Sequence, residues 1–165
     1  LFRSLNIGII VLDDFLEVNL SNSNPILHSA RLYDLFKNSK TYDKKIYFYK
    51  EWNDAASDIL LRMDAEFMKI VNKLGLTNIK SLKEHYRVNS KKEMTDKIQS
   101  IKSFEKILTP MVINNYSYSA DTNSRYFTED ISVGLKYIKT YAKKLGIATP
   151  SIDEVYDSLN LLMES

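Results

Sequence analysis

From Trp52 onward the apolar residues fall at Ala55, Ala56, Ile59, Leu60, Met63, Phe67, Ile70, Val71 and Leu74. That three-and-four spacing puts them on one side of a long α-helix. Gly75 follows where helices are commonly closed by a left-handed residue. A stripe of this length must be covered by other elements, and the sequence offers mostly helices for the purpose. Four glycines and three prolines in 165 residues supply too little turn chemistry for a strand-rich fold. The expected fold class is therefore all-α.

A second periodic segment runs from about Glu129 to Leu145, with Ile131, Leu135, Ile138, Ala142 and Leu145 on one face. Thr128 is its candidate N-cap and Gly146 its stop. Pro150 separates it from a last helix, in which Ser151 and Glu154 have capping-box spacing and Ile152, Val155, Leu159 and Leu162 form the stripe. Two weaker helical segments are expected over Ser81 to Tyr86 and Lys91 to Leu108. "NNYSYSADTNSR", from Asn114, reads as a polar loop. "LNIGIIVL", from Leu5, is a short apolar run that reads as a strand or buried segment. The expectation is one domain over residues 1–165: five or six helices with a short extended N-terminal segment, and no internal repeat.

Composition narrows the function classes. No apolar run approaches the roughly 18 residues of a membrane span, so no membrane role is expected. The absence of cysteine removes disulfides and thiolate metal sites, and two histidines far apart make a histidine-rich metal site improbable. A cytoplasmic setting and no bound metal are expected. The net charge of +2 comes from 23 basic and 21 acidic residues well mixed along the chain, so nucleic acid is not an expected partner. The densest basic stretch, "NSKKEMTDK", carries its own acids and reads as a solvated helix face.

Chemistry concentrates in two places. In "NSNPILHSARLYDLF", Asn22 to Phe36, Asn24 and Pro25 make a strong helix start. His28 then lies about one turn in, on the face shared by Asn24, Leu32 and Leu35. Read alone, His28 is a satisfied core imidazole or a proton handler, and Asn24 is a cap. In "RYFTEDISVGL", from Arg125, the acids Glu129 and Asp130 sit in a first helical turn, where carboxylates are stabilised whatever their function. Read alone, Arg125 pairs with one of them.

Taken together, "NSNPILH" and the downstream "RYFTEDISVGL" with "LGIATPSID" resemble the C-terminal helical domain of the opine dehydrogenases, the octopine and nopaline dehydrogenase family. In that family the motifs read Asn-x-Asn-Pro-x-x-His, then Arg-Tyr-Leu-Thr-Glu-Asp-Ile-Pro-x-Gly-Leu, then Gly-Val-x-Thr-Pro. "DILLRMDAEFMKIVNKLGL" looks like the family's helix containing Ile-Asp-x-Glu, so the resemblance spans about Phe15 to Leu162. Ser132 stands where the family often has proline and Phe67 where a basic residue is common, and residues 77–106 match weakly, which leaves the substrate open.

The resemblance implies a multi-helix domain like the C-terminal domain of phosphogluconate dehydrogenase-type enzymes. It implies His28 as the catalytic acid/base, Asp130 as its catalytic partner, and Arg125 and Asn24 as substrate-binding residues. NAD or NADP is the implied cofactor, and an amino acid and a 2-oxo acid are the implied small-molecule partners. A homodimer is the oligomer allowed for. Glycines at positions 8, 75, 134 and 146 form no G-x-G-x-x-G, so the Rossmann domain is expected upstream of Leu1 and this chain alone is expected to be inactive. Two other readings remain: the helical domain of a simple keto-acid reductase of the ketopantoate type, which would use a lysine, and a non-catalytic dimerisation module, in which the polar residues would be scattered.

Overall fold

The computed structural model describes residues 15–164. The apolar run at Leu5–Leu12 lies outside the described residues. The elements follow in the order α1 (Phe15–Leu20), α2 (Asn24–Phe36), β1 (Thr41–Tyr42), α3 (Asp54–Lys73), α4 (Leu82–Tyr86), α5 (Lys91–Gln99), β2 (Met111–Asn114), β3 (Ser117–Ala120), α6 (Lys136–Leu145) and α7 (Pro150–Glu164). A 3-10 turn covers Lys102–Phe104, and Tyr126–Leu135 is wound as a π-helix that runs straight into α6.

The helix α2 is buried on nearly every side from Pro25 to Phe36, which marks it as the centre of the fold. It packs against α3, the π-helix and α7. As the periodicity predicts, α3 buries Ala56, Ile59, Leu60, Met63, Phe67, Ile70 and Val71 along one face. Of the other two expected, Ala55 lies on the exposed first turn and Leu74, the C-cap, is half-buried against the core. Asn53 caps its start by accepting from the Ala56 N–H at 2.8 Å. At its end the Leu76 N–H bonds the Val71 carbonyl and the Gly75 N–H bonds that of Asn72, with Gly75 at φ +70°. That is the Schellman closure the glycine predicts.

Two carboxylates on α3 serve other helices. Asp64 accepts from the Leu82 N–H with both oxygens at 3.0 Å, at the start of α4. Glu66 accepts from the Ser151 and Ile152 N–H groups at 2.9 Å each, at the start of α7. The Ser151–Glu154 capping box expected there does not form, because the helix starts at Pro150, ahead of Ser151, and the Ser151 N–H is already taken by Glu66. Glu154 instead accepts from the Tyr33 hydroxyl at 2.5 Å. Pro150 is the first residue of α7, not a separator ahead of it.

Three further expectations are corrected. The weak segment Lys91 to Leu108 breaks at Ser100 into α5 and the 3-10 turn. The polar loop is half strand: β2 and β3 form an antiparallel hairpin, with Val112 opposite Ser119 and Ile113 opposite Tyr118, and β1 adds to the other side of β3. Asn115 and Tyr116, at φ +44° and +68°, make the two-residue turn. Thr128 is not an N-cap, since the helix begins two residues earlier at Tyr126.

Candidate active site

The site is built where the first turns of α2 meet the π-helix. Ser23, not Asn24, is the N-cap of α2, which puts Asn24 at the first helical position and Pro25 at the second. Asn24 is exposed, with its N–H donating to Asn22 Oδ1 at 3.1 Å. One turn later, His28 points inward and is 6% exposed. The four-residue spacing keeps Asn24 and His28 on one side of the helix.

The π-helix approaches this turn at very short range. A Cβ on Gly134 would lie 2.4 Å from Pro25 Cγ, so only glycine permits the contact. The i→i+5 winding, longer here than the single turn in which it usually occurs, then presents Asp130 to α2. The Nδ1 atom of His28 lies 2.7 Å from Asp130 Oδ2, across 102 residues of sequence. With the carboxylate ionised, Nδ1–H donates to it, and the pair fixes both the ring's orientation and its tautomer.

The other ring nitrogen is also occupied. His28 Nε2 lies 2.8 Å from the Tyr49 hydroxyl. The imidazole is walled by Tyr126, with ring centres 4.3 Å apart, and by the edge of Phe48 at 5.6 Å. Burial raises the pKa of the Tyr49 phenol, helped by the neighbouring Tyr126, so it stays protonated through the working pH range. Burial raises that of Tyr126 as well.

Tyr49 sits in a loop, and buried Arg31, one turn beyond His28 on α2, fastens that loop. The Arg31 Nε donates to the Phe48 carbonyl at 3.0 Å, and a terminal nitrogen donates to the Glu51 carbonyl at 2.6 Å. Another donates to Asp34 at 3.2 Å. Desolvation lowers the guanidinium pKa, and Asp34 and Glu51 oppose that shift. The Tyr49 ring stacks on Phe104 at 4.3 Å. Nothing in the sequence spacing flags Tyr49 as a partner of His28. The only signal is the aromatic density of "YFYKEW".

Arg125 is placed differently from His28 and Asp130. It precedes the π-helix, its side chain is 83% exposed, and its fork closes on both Glu129 oxygens at 2.8 Å. The hydrogen bond from Arg125 is the main cause that lowers the Glu129 pKa. Of the four expected site residues, then, His28 and Asp130 meet, the first buried and the second partly so, whereas Asn24 and Arg125 stand at exposed helix starts.

Asp130 also borders a cleft of about 330 Å³ lined by Asn19, Asn22, Pro25, Gly134 and Tyr137. A larger, more open groove of about 700 Å³, lined by Met68, Asn72, Lys83 and Arg87, holds no residue of the His28 cluster. The smaller cleft is reached by the His28–Asp130 pair through Asp130, and that contact outweighs the larger groove's size. Among the described residues no cluster of three or more potential ligands could hold a metal ion, and no helix is long and apolar enough to cross a membrane.

Comparison with known proteins matches residues 11–163 to the family described as NAD/NADP octopine/nopaline dehydrogenase, alpha-helical domain. Among curated proteins, an uncharacterized protein y4xO of Sinorhizobium fredii (strain NBRC 101917 / NGR234) is 26% identical over 88% of this chain and 44% of its own length. An opine dehydrogenase of Arthrobacter sp. (strain 1C) is 22% identical over 94% of this chain and 42% of its own length. An octopine dehydrogenase solved with NADH and pyruvate superposes with a TM-score of 0.77 at 24% identity, covering 89% of this chain and 38% of that one. The same enzyme type solved with NADH and L-arginine gives 0.78 at 22% identity, covering 93% and 42%. The chain thus spans less than half the length of the relatives it matches.

Proposed function

The chain belongs to the octopine/nopaline dehydrogenase family as its alpha-helical domain, and on that premise we propose that it is the substrate-binding and proton-handling domain of an NAD(P)-dependent opine dehydrogenase. Such an enzyme joins the amine of an amino acid to a 2-oxo acid, releases water to give an imine, and reduces the imine carbon with hydride from the nicotinamide. The observation that carries the reading is the pair of buried His28 with partly buried Asp130, built from two segments far apart in sequence.

The condensation requires protons to move at nitrogen and oxygen. The attacking amine must shed one, and the former carbonyl oxygen must gain protons before it departs as water. Imidazole is the side chain whose ordinary titration range lies nearest neutrality, and a carboxylate on its second nitrogen stabilises the charged form. His28 is the acid/base in this proposal, and Asp130 orients it. Arg125 and Asn24 position substrate at the rim. The rigid Arg125 fork that closes on Glu129 has the geometry to take a substrate carboxylate in its place. Relatives solved with pyruvate, L-arginine or agmatine support an oxo acid and an amine as the substrate classes.

The described residues do not fit a dinucleotide. Their only sheet is a small antiparallel one, and no glycine-rich turn joins a strand to a helix to cradle a pyrophosphate. The nucleotide is therefore assigned to another domain, NADH or NADPH alike, and this domain by itself turns over negligibly. A cytoplasmic location accords with the cysteine-free sequence.

The test is NAD(P)H oxidation by the full-length protein with paired amino acids and 2-oxo acids, beside His28→Ala and Asp130→Asn. Oxidation that needs both substrates and falls about 10²- to 10⁴-fold in the variants is the expected result. Oxidation with the oxo acid alone would point to a simple reductase, and unimpaired variants would remove the pair from the chemistry.

A further inference from the structure

His28 has no free nitrogen. Asp130 holds Nδ1, the Tyr49 hydroxyl holds Nε2, and Tyr126 and Phe48 cover the ring. A substrate proton reaches the imidazole only by way of that hydroxyl or by displacing it. We propose that Tyr49 is a positioning residue that relays protons between His28 and the substrate side of the site, with Tyr126 the next phenol outward. The inference rests on the opine dehydrogenase reading above.

A phenol suits this place because its oxygen both donates and accepts. It donates to Nε2 while the ring is neutral and accepts from Nε2–H once the ring is charged, so the imidazole keeps a partner in both states. The step balances without an ionised phenol. A proton arriving at the Tyr49 oxygen forms one O–H bond as the original O–H bond breaks, and the released proton forms the N–H bond at Nε2. The phenol ends as it began, and the positive charge rests on His28 beside Asp130. The reverse sequence delivers a proton outward.

The surroundings fix Tyr49 for this part. Arg31 grips the carbonyls on either side of it, Phe104 stacks on its ring, and the Phe48 N–H is tied to the Ile107 carbonyl at 2.8 Å. The titratable and charged groups around the relay are Asp130 and Tyr126 from the π-helix, Arg31 from α2 and Tyr86 from α4. Tyr126 covers the imidazole, neighbours Tyr49 and is half-buried, whereas Tyr49 is 4% exposed, which makes Tyr126 the next phenol outward.

The experiment compares Tyr49→Phe and Tyr126→Phe with His28→Ala in the full-length protein, by steady-state kinetics over a range of pH and by thermal unfolding. Phenylalanine keeps the ring and its stacking and loses one buried hydrogen bond, so Tyr49→Phe should stay folded with a melting temperature lowered by no more than that bond accounts for. We expect its kcat to fall about ten- to a hundredfold with KM for both substrates unchanged and the pH profile displaced, and Tyr126→Phe to show a smaller loss of the same kind. Wild-type kcat and pH profile in Tyr49→Phe, alongside an inactive His28→Ala, would overturn the relay and leave the His28 assignment standing. A fall in stability with kcat and KM disturbed together would make Tyr49 structural and equally overturn it. An active His28→Ala would overturn the reading of the site itself.

Discussion

Gly134 meets Pro25 so closely that a Cβ at position 134 would stand 2.4 Å from the proline Cγ. The contact seats the π-helix on the first turn of α2, and through that seat Asp130 reaches His28. Gly134→Ala should force the two elements apart. The expected destabilisation is about 1–3 kcal/mol, typical of an overpacked contact. Because a displacement of roughly 1 Å at a catalytic group can cost about a hundredfold in rate, kcat should fall by about tenfold or more. Thermal unfolding and steady-state kinetics on the one variant check both, and unchanged values would show that the contact yields without moving Asp130.

Glu66 is buried and gives one oxygen to each of two amides at the start of α7. Glu66→Gln leaves one acceptor, turns an NH₂ toward the second amide and removes a negative charge from a helix N-terminus. The loss should be about 1–3 kcal/mol, read as a lower urea midpoint. A midpoint equal to the wild type would mean that water or a rearranged first turn replaces the carboxylate.

Asp64 supplies a pH dependence of stability. Its pKa is raised above the ordinary 3.8, chiefly by desolvation, although hydrogen bonds from the Leu82 and Lys83 amides oppose the shift. In the window above 3.8 the unfolded chain has released this proton and the folded chain retains it, so this group's contribution to stability falls as the pH rises through that window. Below 3.8 the contribution is fully present. Relative to Asp64→Asn, the wild type should therefore lose stability as the pH is raised from 3.8 toward neutrality. Denaturant midpoints of both proteins across that range give the difference, and a difference that grows instead would reverse the assigned cause.

Arg125 and Glu129 make a two-point ion pair in the open. Exposed pairs of this kind contribute little to folding. Arg125→Gln should leave the unfolding midpoint where it is and raise KM for the 2-oxo acid, with a smaller change in kcat. Unchanged KM would reduce the pair to a surface feature.

Much of this was legible in the sequence, and the exceptions have physical causes. The stripe of α3 and the stops at Gly75 and Gly146 were readable because period and left-handed closure are local properties. The hairpin was not, because Tyr and Ser alternate in "YSYS" and its turn uses Asn115 and Tyr116, with no glycine to signal positive φ. The Ser151–Glu154 spacing misled because Pro150 already opens the helix and a distant side chain, Glu66, holds the Ser151 amide that the box would give to Glu154.

The same contrast holds at the site. His28 and Asp130 stand out through their motifs, although their approach depends on π winding and on Gly134, which no spacing rule supplies. Tyr49 was missed because it comes from a loop positioned by backbone bonds to Arg31, and such bonds leave no mark on residue type at the loop.

The two carboxylates of α3 also make that helix intolerant of changes in length. Asp64 and Glu66 face the starts of α4 and α7, and each residue advances an α-helix by about 100°. A single codon inserted or deleted within α3 ahead of Asp64 would swing both carboxylates, and the stripe beyond them, around the axis against Ala56, Ile59 and Leu60, releasing two helix ends with one event. Indels should be borne by largely exposed connecting residues such as 37–40 and 77–80, while α3 accepts substitutions but keeps its number of residues.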